Sequence, residues 1–364
     1  MGWIEKLQET IGRFDRPALY YKNFLTRPRD VYIFGAGENG RAVKSLLEDN
    51  HFHVLGFLDN DISKHSTLLD GIPVFSPRKI DLSSVSMIAI ASTWGKEIAG
   101  QLRAIPGVEY FDFSFYFDEL YHSHFELPLI ENNIPTILDM WNHLADDQSR
   151  NVLAGLLKYR ILLDSYFIHV SNYAQYNCPK LPPLQGGTVL DVGAWHGDTA
   201  IQFVRQFTQA EQIVSFEPSK TNFEKLRETV GAHGLDEKIT PVNAGWGDKN
   251  EQVHFDVNFE NTGRSNVSQS GQEVVQLIRL DEFKPLAGKK ISMIKMDIEG
   301  AEFLALQGAK RTIVTQKPQL AISVYHHGED LWRIWKFLHS IRSDYHFFLG
   351  HHSLSMFETV LYAF

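Results

Sequence analysis

The run Ile291-Ser292-Met293-Ile294-Lys295-Met296-Asp297-Ile298-Glu299-Gly300-Ala301-Glu302 passes from an apolar strand into two acids, a glycine and a helix opening. Side chains two apart on a strand share a face, so Asp297 and Glu299 both project into one cleft at the strand's C-terminal end. Open α/β sheets bind their ligands there. A second strand-to-loop unit lies upstream, Thr188-Val189-Leu190-Asp191-Val192-Gly193-Ala194-Trp195-His196-Gly197-Asp198-Thr199. Together they read as a cofactor site with acid chemistry beside it.

Working outward, the composition excludes several classes. The chain has 364 residues, 43% hydrophobic and 22% charged, an ordinary globular balance with length for two or three domains. A net charge of -9 argues against a nucleic-acid partner, which needs clustered Lys and Arg. No apolar run reaches the roughly 18 residues of a membrane span. The segment from Met1 to Leu25 is amphipathic, carries Glu5 and Glu9 and lacks a signal-peptide core, and Lys6 stands where a myristoylation signal wants Ser or Thr. The single cysteine, Cys178, forms no internal disulfide and fits a reducing compartment. A cytoplasmic protein is expected.

Two strand–glycine-loop–helix units divide the chain. The first begins at Val31, runs through Gly35-Ala36-Gly37-Glu38-Asn39-Gly40, and has Asp59 at the end of its second strand. It satisfies G-x-G-x-x-G in a strand-to-helix context. Apolar spacing from Val152 to Leu163 predicts a helix, with Asp146, Asp147 and Ser149 as N-cap acceptors. The expected division is a helical leader (1–27), a Rossmann-like nucleotide-binding domain (28–125), a helical connector (126–180) and a second α/β domain (181–364). Alternating βα units closed by two terminal strands predict a mostly parallel sheet with a reversed strand at one edge. Val253, Phe255, Val257 and Phe259 alternate with polar residues as a half-buried strand does.

The loop from Asp191 to Asp198 opens a helix, and its backbone N–H groups suit a carboxylate or phosphate. Glu217 ends the next strand, where an acid accepts hydrogen bonds from two ribose hydroxyls. Asp297, Glu299, His326 and His327 share the strand-end rim as candidate bases. For Asp297 and Glu299 the competing role is capping the following helix; for the histidines it is an ordinary surface loop. Asp297, Glu299 and a histidine could form an oxygen/nitrogen metal set, but nothing fixes their spacing and no metal is expected. The polar segment from Asn261 to Ser268 reads as a solvated loop or a flap over the cleft, with Arg264 the candidate for an anionic group.

The ordered series Asp191-Val192-Gly193-Ala194, Phe216-Glu217-Pro218, Asn243-Ala244-Gly245, Leu280-Asp281-Glu282 and Ile294 to Glu302 resembles the FkbM family of S-adenosylmethionine-dependent methyltransferases. The tail from Ala321 to His327, with Glu358 to Ala363, is similar to the same family's ending. The likeness spans about Asn151 to Phe364. It implies a class I methyltransferase fold, a seven-stranded sheet with its last strand antiparallel, beside the smaller N-terminal Rossmann-like α/β domain. The resemblance also implies O-methylation of sugars or secondary metabolites. It would put the methionyl group at Gly193, Gly197, Asp198 and Thr199, the ribose at Glu217, the adenine near Asn243 and Ala244, and the sulfonium beside Asp297. Trp195 departs from the broader loop pattern, where a glycine often stands.

The segment from Gly56 to Asp61, with Gly71-Ile72-Pro73-Val74, resembles the nucleotide-sugar-binding domain of sugar acetyltransferases of the PglD type. That implies a nucleotide-sugar at Gly35, Gly37, Gly40 and Asp59, or a scaffold only. Two other functions stay open. One is an NAD(P)-dependent oxidoreductase built on that loop, against which the lack of a neighbouring Tyr-x-x-x-Lys pair counts. The other is a non-catalytic nucleotide-sugar-binding protein, against which the complete motif series counts.

Overall fold

The computed structural model describes residues 24–85, 87–114, 127–257, 265–267 and 273–364. The expected leader up to residue 23, Phe259, Arg264 with 261–263, and Ser268 lie outside the described residues. Two compact units divide the chain. One takes Met1–Leu138, Arg150–Val170 and His352–Phe357; the other takes Asp139–Ser149, Ser171–His351 and Glu358–Phe364.

In the first unit, β1 (Asp30–Phe34), β2 (His53–Leu58), β3 (Leu68–Leu69), β4 (Ile72–Phe75), β5 (Ile88–Ile90) and β6 (Tyr110–Asp112) form one sheet. Their order is β3-β4-β2-β1-β5-β6, parallel except where β3 meets β4. Helix α1 (Glu38–Asp49) follows β1 and α2 (Gly95–Arg103) follows β5. Helix α1 buries Gly40, Val43 and Leu47, a stripe at helical spacing. The adjoining core gathers Phe34, Leu58, Ile88, Ile90, Ile98 and Leu102.

The next helices in sequence are α3 (Leu127–Glu131), α4 (Ile134–His143) and α5 (Asp147–Leu162). The Ser149 amide donates to Asp146 Oδ1 at 2.8 Å, so the expected acid does close the start of α5.

The second unit alternates β7 (Thr188–Val192), α6 (Asp198–Gln206), β8 (Gln212–Phe216), α7 (Lys220–Ala232) and β9 (Ile239–Val242). A small sheet of β10 (Gly245–Trp246), β11 (Glu251–Val257), β12 (Ser265–Val267) and β13 (Glu273–Ile278) is inserted next. Then come β14 (Ile291–Met296), α8 (Glu302–Gly308), α9 (Lys310–Gln316), β15 (Gln319–Ser323), α10 (Asp330–Ile341), β16 (Phe347–His351) and β17 (Thr359–Ala363). The main sheet has seven strands in the order β16-β17-β15-β14-β7-β8-β9. Every residue of β7, β14 and β15 is buried, as strands covered on both faces require.

One expectation needs correction. The reversed strand is not at the edge: β17 runs antiparallel to both β15 and β16, between them. The crossover through α10 delivers β16 one strand spacing beyond β15. The returning chain fills that gap in the opposite direction, and β16 takes the edge.

Candidate active site

Strand β7 has β8 on one side and β14 on the other, so the chain reverses its direction of sheet growth there. A crevice opens at such a point, outside the strands' C-terminal ends. Gly193 follows β7, Asp297 follows β14, and Tyr325 and His326 follow β15. Local strand geometry thus brings residues more than a hundred positions apart to one rim.

Asp297 is the hub. The Tyr176 hydroxyl donates to Asp297 Oδ2 at 2.7 Å and the Tyr325 hydroxyl to Oδ1 at 3.1 Å. Burial, then the Asp297 charge, push both phenols well above their usual range, so they stay protonated as donors. His326 Nε2 lies 3.5 Å from Asp297 Oδ1 and 3.3 Å from Glu299 Oε2. Its Nδ1 lies 3.0 Å from Glu302 Oε1. These are ion-pair approaches without hydrogen-bond geometry at the ring nitrogens. Burial alone would depress the imidazole. The charge of Glu302, then Glu299 and Asp297, outweigh it and hold His326 protonated well above its ordinary range. Burial, then the Asp297 charge, raise the Glu358 carboxyl as well.

Behind this rim, Lys295 and Asp191 face each other in register on β14 and β7. Their side chains are 2% and 0% exposed, with Lys295 Nζ 3.0 Å from Asp191 Oδ1. The same ammonium donates to the Gly193 carbonyl at 2.6 Å. Burial lowers Lys295, but Asp191 and then Asp297 more than restore it, so it is held charged. Asp191, expected at the cofactor, is instead sealed beneath the loop and braces it. Gly193 also has an internal reason: its φ is +79° and a Cβ there would stand 1.8 Å from the Asp297 carbonyl oxygen. The glycine lets β7 and β14 converge, so the close approach expected of a ligand is made by the neighbouring strand end.

Glu217 is buried. Its Oε2 accepts from the Trp195 amide at 2.9 Å and its Oε1 from the Ser219 amide at 3.0 Å. Burial pushes its carboxyl up to about 7 despite those two bonds. Each oxygen keeps a second lone pair for a ribose hydroxyl. Asn243 is exposed and ties the turn together, its amide donating to the Glu217 and Pro218 carbonyls at 2.9 and 3.0 Å. Ala244 is buried behind it. Gly197 caps α6 in the left-handed region, with Asp198 and Thr199 in the first turn. Trp195, at φ +44°, is exposed and stacks on His196 at 3.9 Å between centroids.

The cap residue of the following helix is Ala301, which makes no side-chain cap bond. Glu302 does the nearby work, accepting from the Ile298 amide at 2.8 Å. His327 turns away to Asp330, 3.0 Å from its Oδ2. The roles of Tyr176, Tyr325, Lys295, Glu302 and Glu358 were not legible beforehand. Only Lys295 carried a signal: a lone cation in an otherwise apolar buried strand, with an acid at the matching place of another. Asp297, Glu302 and His326 bring one ligand atom each within 4.8 Å of one another, enough to hold a divalent ion. A histidine must be neutral to ligate, and here three acids hold it charged. Whatever reaction the site performs is therefore expected to persist at its full rate in a chelator. A loss restored by added magnesium or zinc would reassign the cluster to a metal.

In the first unit, Gly35 and Gly40 are consumed by packing: a Cβ on Gly40 would stand 2.0 Å from the Gly35 carbonyl oxygen. Asp59 accepts from the Ala36 amide at 2.9 Å and from Lys64 Nζ at 2.8 Å through Oδ2, and from the Asp61 amide at 2.9 Å through Oδ1. Of the three glycines in that loop, Gly37 has open space where a Cβ would stand.

Residues 191–349 match the model of the methyltransferase FkbM domain. The match is shorter at both ends than the likeness read from the motifs. Residues 28–110 match the C2185-like N-terminal family. The methyltransferase FkbM of Methylobacillus flagellatus KT aligns over 98% of this chain and 93% of its own, with 23% identity and a TM-score of 0.68. At that identity the likeness is one of fold. UDP-D-quinovosamine 4-dehydrogenase of Vibrio fischeri overlaps 24% of this chain and 78% of its own, at 28% identity and a TM-score of 0.21. TrmK of M. capricolum, solved with S-adenosyl-homocysteine, overlaps 50% of this chain and 62% of its own, at 13% identity and a TM-score of 0.31. At those TM-scores neither overlap bears on function. No curated protein sequence matches the chain. Among the described residues no helix is long and apolar enough to cross a membrane.

Proposed function

We propose that the chain is an S-adenosylmethionine-dependent O-methyltransferase acting on a hydroxyl of a sugar, nucleotide-sugar or secondary metabolite, and that it works in the cytoplasm. The observation that carries this reading is the Asp297 cluster at the mouth of the β7–β14 crevice. Methyl transfer is an in-line displacement at carbon: the acceptor oxygen attacks the sulfonium methyl, the C–S bond breaks and the hydroxyl proton must leave. The protein's work is to align the oxygen and take that proton. Asp297 is the half-buried carboxylate at the rim, fixed by two phenols so that it meets the acceptor in one orientation. The charged His326 offsets the repulsion among Asp297, Glu299 and Glu302. Glu299 stands at the open edge and supports the acceptor. The donor lies over Gly193, Gly197, Asp198 and Thr199, with its ribose on Glu217 and its adenine by Asn243 and Ala244. In the first unit the reading keeps a nucleotide-sugar as ligand, near Gly37.

Calorimetry against S-adenosylmethionine tests the donor site. Glu217→Ala removes two charge-assisted ribose bonds and the anchor of the Trp195 amide, and is expected to cost about 2–4 kcal/mol of affinity. Unchanged affinity in that variant would sink the assignment. Because Glu217 titrates at about 7 in the free protein, and hydroxyl donors favour its ionised form, binding should release a proton. Affinity should then fall on acidifying from about pH 8 to about pH 6, by at most tenfold per unit below the Glu217 value. A pH-independent affinity would place the ribose elsewhere.

A further inference from the structure

The first unit holds a cavity of about 380 Å³ that the methyl-transfer chemistry does not use. It opens where β1 lies between β2 and β5, the same kind of strand-order reversal as in the second unit. Asn39 comes from the first turn of α1 after β1, Ser92, Thr93 and Trp94 from the turn after β5, and Ser114 from the turn after β6. Tyr159 and the segment holding Leu354, Ser355 and Phe357 complete the wall.

The lining has a definite chemistry. Hydroxyl and amide side chains alternate with aromatic and aliphatic ones, and no carboxylate, ammonium or guanidinium is among them. Ser92 and Ser114 are already engaged, Ser92 Oγ accepting from the Trp94 amide and Ser114 Oγ donating to the Ser92 carbonyl. Asn39 and Thr93 have no partner among the described residues, although both border the cavity. Trp94 is 63% exposed at the rim, a large apolar face left in water beside those polar groups. A flat aromatic face next to uncharged hydroxyl and amide groups matches a ring with C–H faces and hydroxyl edges. An ionised group would find no countercharge inside the cavity, so a phosphate of the same ligand must lie outside it, and a wholly apolar group would strand the amide and hydroxyls.

We propose that this cavity is a second ligand site, built for a neutral sugar ring: the ribose of a nucleotide or the glycosyl group of a nucleotide-sugar or glycan. Trp94 stacks on the ring, and Asn39 and Thr93 take its hydroxyls. The site replaces Gly35, Gly40 and Asp59, whose contacts are satisfied within the protein. It deepens the reading of the first unit as a nucleotide-sugar holder and does not depend on methyl transfer.

Saturation-transfer NMR on the full chain provides the test, with uridine monophosphate, UDP-N-acetylglucosamine and methyl glucoside at millimolar concentration. Calorimetry with S-adenosylmethionine on the same sample reports the other site. Enhancement of ribose protons would assign a nucleotide, enhancement of hexose protons a glycosyl group, and either supports the site. Trp94→Ala, at an exposed position, and Thr93→Val, which keeps shape and removes the hydroxyl, should each weaken the bound probe by about tenfold and leave S-adenosylmethionine binding unchanged. No saturation from any probe in a sample that binds S-adenosylmethionine normally would overturn the proposal and leave the methyltransferase reading intact. Equal saturation in wild type and both variants would put the probe elsewhere and overturn it too. Sugar binding without S-adenosylmethionine binding would instead count against the proposed donor.

Discussion

Asp297→Asn is expected to lower turnover by about 10²–10⁴-fold, the usual span for a general base, with S-adenosylmethionine affinity little changed. The substitution keeps the shape and one of the two phenol contacts, Tyr176 to Oδ2 at 2.7 Å or Tyr325 to Oδ1 at 3.1 Å, because only the amide oxygen can accept. It removes the charge that takes the acceptor proton and that helps hold His326 protonated. The measurement is steady-state transfer of labelled methyl to an acceptor that the wild type methylates. A fall in kcat with KM nearly constant fits a base. A normal rate in the variant would take the base role away from Asp297 and leave the proton to water. Tyr176→Phe separates positioning from proton transfer: it frees one carboxylate oxygen without removing the base. It should cost less than Asp297→Asn and leave the pH profile in place.

Lys295→Met should cost about 3–5 kcal/mol of stability, the penalty for stranding one member of a buried ion pair. Asp191 is fully buried and Lys295 is 3.0 Å away, so the unpaired carboxylate has no water to turn to. The Gly193 carbonyl loses its donor as well. Adding Asp191→Asn should recover part of that loss, because the stranded charge is gone. Urea unfolding followed by tryptophan fluorescence reads both variants. A single variant no less stable than wild type, or a double variant worse than the sum of the two singles, would mean that the pair is not held as an ion pair. The effect on activity follows from position: the pair sits directly beneath Gly193, so a loosened brace should weaken the donor as well.

Much of the second unit was legible because its evidence is local. The passage from Ile291–Met296 into Asp297, Glu299 and Gly300 marks a buried parallel strand ending in a functional turn. The glycines at 193 and 197 mark the loop into α6. The start of α5 was likewise readable from Asp146 and Ser149. The edge position of the reversed strand was misjudged because alternation and turn residues say that two strands are joined, not which slot in the sheet each takes. That is settled by the crossover through α10, a long-range packing outcome.

The sequence by itself determined the strand ends, and with them Asp297, Glu299 and His326 on one rim, since side-chain alternation and turn chemistry act within a few residues. Only the tertiary structure decided what those groups do to one another. Tyr176, from the end of the expected helical connector where the structure has neither helix nor strand, reaches Asp297 because the chain packs it there. Glu302 was in plain view yet had no role until β15 brought His326 to within 3.0 Å of it. Gly193 and Gly40 looked like ligand glycines, but the atoms crowding them belong to the protein's own backbone. Spacing along a chain tells which side chains share a strand end, whereas charge, burial and close approach depend on the neighbours across the sheet, which the linear order does not name.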